Sequence, residues 1–252
     1  MMRYSACIEW LFADAAARFP GRIRAAKASG LDAVEFWRWS NKDMTAIRAA
    51  LDDTGLMLAG ILCEPIVAIT DQGNLAVFAE GVRASLEAAR RLGARMLIAQ
   101  AGNDQHKASR AAQHAAIVRA LKEAAPILEG SGVVLALEPL NDRVDHRGYY
   151  LTSTTEGLDI IDEVGRAEIR LLHDIYHSAM MGESIEEVLA DRLDRVAHVH
   201  LADMPGRGAP GSGKMDWRAR LDWLSSHGYS GLVGLEYRPS GGTHQSLRFR
   251  DI

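Results

Sequence analysis

Short runs of aliphatic and β-branched residues alternate with longer amphipathic stretches along this whole chain, and that rhythm restricts its fold more than any other feature. The short runs are Tyr4–Ile8, Ala33–Glu35, Leu56–Leu62, Met96–Ile98, Val133–Leu137, Ile169–Leu172, Val196–Leu201 and Leu232–Leu235. Helices are expected over Asp14–Ala28, Asp43–Leu51, Leu75–Leu92, Ala108–Leu128, Thr155–Val164, Ser184–Leu189 and Trp217–Leu224, with Gly30 and Gly93 as stops just past two of them. Eight strand candidates with helices between them are the βαβ alternation of a parallel sheet. Several strands are apolar throughout, as strands covered on both faces are. An open doubly wound sheet would place a glycine-rich phosphate loop after the first strand, where this chain reads Glu9, Trp10, Leu11, Phe12. The expectation is a single (β/α)8 TIM barrel over residues 1–252, about the length such a barrel needs. No linker rich in Pro, Gly and Ser divides the chain into two apolar halves.

Charge and cysteine content narrow the function classes. With 29 basic and 33 acidic residues the net charge is −4, which disfavours a surface built to neutralise phosphates, Arg238, Arg248 and Arg250 being a local exception. Two cysteines, Cys7 and Cys63, make no disulfide framework and are expected as buried thiols. The apolar run after Arg3 is broken by Glu9 and Asp14, and nothing approaches the roughly 20 apolar residues of a membrane span. The expectation is a cytoplasmic protein with a small-molecule partner, without nucleic acid or membrane; a homo-oligomer is left open.

Barrel active sites form where the C-terminal ends of the strands meet, so the residues ending each strand matter most. The fifth candidate ends Leu-Ala-Leu-Glu138-Pro139, and the sixth ends Leu-Leu-His173-Asp174. His198-Val-His200-Leu lies in the seventh, and the eighth ends Gly-Leu-Glu236-Tyr237. Glu138, Asp174, His200 and Glu236 therefore reach one rim. Three converging carboxylates repel one another unless a cation sits among them. Oxygen ligands plus one imidazole suit Mg²⁺, Mn²⁺ or Co²⁺, and such an ion acidifies the C–H beside a carbonyl. Glu138 and Glu236 can then serve as the acid/base pair, one removing a proton and the other returning it. His198 reads most simply as a core or supporting histidine. His177, three residues beyond Asp174, is placed in the following loop, where it can donate to a substrate oxygen. The loop Asp203–Gly213 carries one guanidinium, Arg207, suited to a carboxylate or polyol oxygen.

These segments together resemble the hydroxypyruvate isomerase family, among the xylose isomerase-like TIM barrels. The resemblance rests on Gly-Leu-Asp-Ala-Val-Glu-Phe-Trp37, Leu-Glu138-Pro-Leu-Asn141, His173-Asp174-Ile-Tyr-His177, His198-Val-His-Leu-Ala-Asp-Met-Pro-Gly-Arg207 and Gly-Leu-Glu236-Tyr. It implies Glu138 and Glu236 as metal ligands and acid/base pair, Asp174 as a further ligand, and His177 and Arg207 at substrate-contacting positions. The family usually has Gln where this chain has His200, whereas related ketose 3-epimerases place His there. The segment Asp142–Tyr150 also departs from the usual pattern. The leading expectation is a metal-dependent 1,2-isomerisation of a small hydroxy-keto acid or sugar. Ketose 3-epimerisation is the alternative; hydrolysis of abasic DNA, as by endonuclease IV, and a non-catalytic barrel stand further back.

Overall fold

The structure, a computed structural model, describes residues 2–251. Its strands are β1 (Arg3–Cys7), β2 (Ala33–Glu35), β3 (Met57–Leu58), β4 (Ile61–Leu62), β5 (Met96–Gln100), β6 (Val134–Glu138), β7 (Ile169–Asp174), β8 (Val196–Leu201) and β9 (Leu232–Leu235). They form one nine-stranded sheet in the order β3-β2-β1-β9-β8-β7-β6-β5-β4, with every strand pair parallel. The two ends of that order, β3 and β4, are separated in the chain only by Ala59 and Gly60.

The helices are α1 (Phe19–Ala28), α2 (Met44–Thr54), α3 (Leu75–Leu92), α4 (Arg110–Leu128), α5 (Thr154–Val164), α6 (Ile175–Met181), α7 (Ile185–Leu189), α8 (Trp217–Ser226) and α9 (Thr243–Ser246). Their starts follow from local chemistry. Asp43, Ser109, Ser153 and Asp216 each accept a hydrogen bond from a backbone N–H in the first turn of α2, α4, α5 and α8. At the far end of α3, Gly93 takes a φ of +76°, a conformation that costs a residue without a side chain little. Among the described residues no helix is long and apolar enough to cross a membrane.

Three expectations are corrected. The first helix begins at Phe19 rather than Asp14, because Pro20 occupies its first turn while residues 8–15 form turns. Arg22 holds those turns by donating to the carbonyls of Ile8, Glu9 and Ala16. The strand expected over Leu56–Leu62 is broken at Ala59–Gly60: β3 pairs with β2, and β4 with β5. His177 lies in helix α6, not in a loop. Asp174 ends β7 and at once caps α6, its Oδ1 accepting from the backbone N–H of Tyr176 at 2.7 Å and of His177 at 3.0 Å.

Period-two alternation sorts the strand side chains between two cores. A large cluster lies between sheet and helices, including Ile117, Leu121, Leu135, Leu137 and Leu171. A small one fills the sheet's concave side, with Leu62, Met96, Ile98, Ala136 and Leu172 from β4 to β7. On the other half of that side polar side chains are buried, Ser5 on β1, Glu35 on β2, and His198 and His200 on β8, beside the small Cys7 and Ala33. That asymmetry sets up the site.

Candidate active site

Residues two apart on one strand face the same side, so Asp174 follows Leu172 and His200 follows His198 toward the concave side. Register then aligns them: Asp174 lies beside His200, and His200 beside Gly234, two residues before Glu236. Glu138 ends β6 beside Gln100. Glu138, Asp174, His200 and Glu236 each present a donor atom, and those atoms lie within 4.8 Å of one another. All four side chains are buried. The ligand set expected from the strand ends is brought together in full.

His200 is the pivot. Its Nδ1 lies 3.4 Å from Glu236 Oε2, 3.5 Å from Glu138 Oε1 and 3.9 Å from Asp174 Oδ2. This nitrogen is buried and makes no hydrogen bond. An unpartnered imidazole nitrogen facing three carboxylates fits a hard divalent cation, since that donor set is mainly oxygen. Asp174 divides its duties: Oδ1 caps α6, and Oδ2 is left for the cluster.

Without an ion, protein charges compensate one another. Burial pushes the Glu138 carboxyl up to about 7, with Glu236 and Asp174 adding repulsion against the pull of His200. Burial also raises Glu236, but Arg207 and His200 outweigh it and hold this carboxyl well below the usual range. Arg207 Nη2 donates to Glu236 Oε2 at 2.5 Å and lies 3.7 Å from Asp174 Oδ2. Its guanidinium sits over the rings of Trp10 and Tyr176. Trp37 Nε1 donates to the other oxygen of Glu236 at 2.6 Å.

Arg207, expected on a substrate oxygen, joins the cluster through Glu236 and Asp174, and its loop is held as much by Asp203 as by its glycines and prolines. That buried carboxylate accepts from the backbone N–H groups of Met204, Gly211, Gly213 and Met215. Arg207 itself has a φ of +53°, a left-handed conformation that a non-glycine residue holds only where its surroundings enforce it. Asp203→Ala is expected to lower stability by at least about 2 kcal/mol, because a charged acceptor for several backbone donors is lost. Urea unfolding measures this, and a wild-type midpoint would show that the loop holds itself.

His177 is placed beside Asp174, its Nε2 3.7 Å from Oδ2. The backbone N–H of Asn141 donates to its Nδ1 at 3.1 Å. Burial lowers its pKa to about 4. A cavity of about 380 Å³ opens above the cluster, walled in part by Trp10, Trp37, Asp145, His146, Arg207 and Arg238. His146, not His177, forms that part of the wall, its ring 5.4 Å from that of His177. Sequence reasoning also passed over Glu9 and Lys42, a 2.8 Å ion pair bordering the cavity, and Glu35 beneath it.

A parallel α/β sheet carrying a carboxylate–imidazole cluster at the C-terminal ends of its strands has its candidate site where barrel enzymes place theirs. Residues 23–251 match the family described as xylose isomerase-like TIM barrel. The hydroxypyruvate isomerase of Escherichia coli (strain K12) is 29% identical, covering 100% of this chain and 99% of that protein. A 2-oxo-tetronate isomerase of Cupriavidus necator is 30% identical over 98% of this chain and 96% of its own. A crystal structure of an AP endonuclease, family 2, from Brucella melitensis superposes with a TM-score of 0.92, at 26% identity over 100% of this chain and 98% of that one. The chain belongs to the xylose isomerase-like TIM barrel family, and it is an isomerase.

Proposed function

We propose that this protein moves the carbonyl of a short hydroxy-keto acid to the adjacent carbon, with one divalent metal ion held by Glu138, Asp174, His200 and Glu236. The observation that carries this is the unpartnered Nδ1 of His200 facing three buried carboxylates. Mg²⁺, Mn²⁺ and Co²⁺ all suit the donor set. Bound there, the ion polarises the substrate carbonyl and acidifies the neighbouring C–H. We read Met57–Leu62 as one strand interrupted at Ala59–Gly60, so that eight parallel strands close into a (β/α)8 barrel around this rim.

For hydroxypyruvate the chemistry balances within one molecule. One glutamate takes a proton from C3, leaving an enediolate, and a proton is returned to C2. The hydroxyl proton passes from the C3 oxygen to the C2 oxygen, so no oxidant or reductant is needed. Glu138 and Glu236 are the acid/base pair, coming from strands on different sides of the cluster. His146, on the cavity wall, is the histidine placed to meet the substrate, and His177 stands behind it with its Nδ1 accepting from Asn141. Arg207 takes the substrate carboxylate, while its contact with Glu236 orients that residue.

Incubation with hydroxypyruvate, fructose and ribulose, followed by product analysis, tests this reading. An aldehyde acid formed from hydroxypyruvate supports it. Only ketoses inverted at C3 would favour the second reading, 3-epimerisation, for which His200 and a cavity of about 380 Å³ speak. Nicking of an abasic duplex would show DNA hydrolysis instead. Arg207→Lys is expected to lower kcat/KM for hydroxypyruvate about 10- to 100-fold, because an ammonium lacks the planar fork that binds a carboxylate. Neutral ketoses should lose less, by what the Arg207–Glu236 contact alone contributes; an equal loss for both would mean that Arg207 acts only through Glu236 and the shape of the cavity.

A further inference from the structure

Glu35 is a buried carboxylate, 2% exposed, grouped with His198 and His200 rather than with the three carboxylates of the cluster. Burying an unpaired charge is costly, and replacing buried ion pairs by apolar residues is often neutral or stabilising. On β4 to β7 the concave side of the sheet is filled by Leu62, Ile98, Ala136 and Leu172, which shows what an apolar filling looks like. The polar half requires another reason.

Its geometry supplies one. Glu35 Oε2 accepts from Ser5 Oγ at 3.0 Å and lies 2.8 Å from His198 Nε2. Glu35 Oε1 lies 3.0 Å from His200 Nε2. His198 and His200 meet edge to face, with ring centroids 5.0 Å apart. Strands β1, β2 and β8 thus converge on one carboxylate. β9 makes room for it: a Cβ at Gly234 would lie 2.5 Å from Glu35 Oε1, 2.6 Å from His200 Cδ2 and 2.7 Å from His198 Nε2. Of the contacts between Glu35 and the two imidazoles, the one with His198 is a hydrogen bond, while Oε1 and His200 Nε2 face each other without an aligned one.

We propose that Glu35 is a positioning residue, which acts through His200 on the metal site. Its carboxylate, 3.0 Å from His200 Nε2, favours the proton on that nitrogen by its charge, and so leaves the Nδ1 lone pair facing Glu138, Asp174 and Glu236. Ser5 and His198 hold Glu35 in turn, and Gly234 keeps the space open. A carboxylate behind a metal-bound imidazole fixes its tautomer and ring orientation and raises its basicity. This inference rests on the metal-site reading above and adds to it a group that never touches metal or substrate.

The test is Mn²⁺ titration by calorimetry of the purified full chain and its Glu35→Gln, Glu35→Asp and Ser5→Ala variants, with thermal unfolding of each metal-free sample. Glu35→Gln is expected to weaken Mn²⁺ binding about 10- to 100-fold, with Glu35→Asp intermediate. Nitrogen-15 spectra of the Mg²⁺-loaded wild type should show the His200 proton on Nε2. Wild-type affinity in a folded Glu35→Gln variant, or a proton on Nδ1, overturns the proposal. If Glu35→Gln does not fold, Ser5→Ala decides: a weakening of a few-fold at an unchanged unfolding temperature supports it, and unchanged affinity overturns it. A wild-type chain that binds no Mn²⁺ would instead overturn the metal-site reading itself.

Discussion

Asp174→Asn and His200→Ala are expected to bind Mn²⁺ at least about 100-fold more weakly than the wild-type chain, with isomerase activity lost in proportion. The choice of Asn at 174 follows from the division of labour in that carboxylate. Oδ1 caps α6 through Tyr176 and His177, and an amide oxygen preserves this acceptor. Oδ2 faces His200 and Arg207, and an amide nitrogen there offers donors to a cation that needs lone pairs. Asp174→Ala would remove the ligand and the cap together and lose about 1 kcal/mol from the helix start alone. Calorimetric titration with Mn²⁺, alongside elemental analysis of protein purified without chelator, measures the effect. If Asp174→Asn and His200→Ala both keep wild-type metal content, the four side chains are only a buried ion cluster, compensated by Arg207.

Some parts of this site were legible in the chain because they depend on local rules. A carboxylate or imidazole ending a parallel strand reaches the rim whatever the rest of the fold does, so Glu138, Asp174, His200 and Glu236 could be named from strand ends. Other parts depend on distant partners. Glu35 sits in Ala-Val-Glu-Phe-Trp, where it reads like any acid closing a short strand. Its meaning comes from Ser5, 30 positions away, and from His198, 163 positions away. Local signals were also available and passed over. Pro20 marks the first turn of α1, and Asp174 directly before Ile-Tyr-His-Ser-Ala-Met-Met reads as an N-cap before a helix. The break at Ala59–Gly60 had one sign, the glycine: a Cβ there would lie 2.7 Å from Met96 Cε.

Polarity on the concave side joins fold to function. Between β4 and β7 it is apolar and packs as a core would. Toward β1, β2, β8 and β9 it holds Ser5, Glu35, His198, His200 and Gly234, with Glu236 above them and Trp37 donating to it. Rigid strands thus hold the reacting groups while loops close over them, as Asp145, His146 and Arg207 do around the cavity.

Turnover of hydroxypyruvate in D2O is expected to place solvent deuterium at the reacting carbon, and Glu138→Gln or Glu236→Gln to suppress that exchange by about 10²–10⁴-fold. Two routes to the same product make different demands on the chain. A direct hydride shift needs no base at the reacting carbon, but asks for strong activation at both oxygens. Proton abstraction needs a carboxylate within reach of the carbon and a second group to return the proton. Here two buried carboxylates, Glu138 at the end of β6 and Glu236 just past β9, converge on one point. Glu236 is aimed by Trp37 and Arg207, a different partner on each oxygen. Such a group is well placed to exchange a proton with one fixed carbon. Gln keeps the carbonyl oxygen that Trp37 or Arg207 addresses, so the substitution removes the base and disturbs the shape least. Metal content measured on the same samples separates loss of the base from loss of the ion. Deuterium in the product can fall short of one atom per turnover when the captured proton returns before it exchanges with solvent, so the early exchange rate is the quantity to compare. Complete retention of substrate hydrogen over many turnovers would exclude the two-glutamate route while leaving the metal site intact.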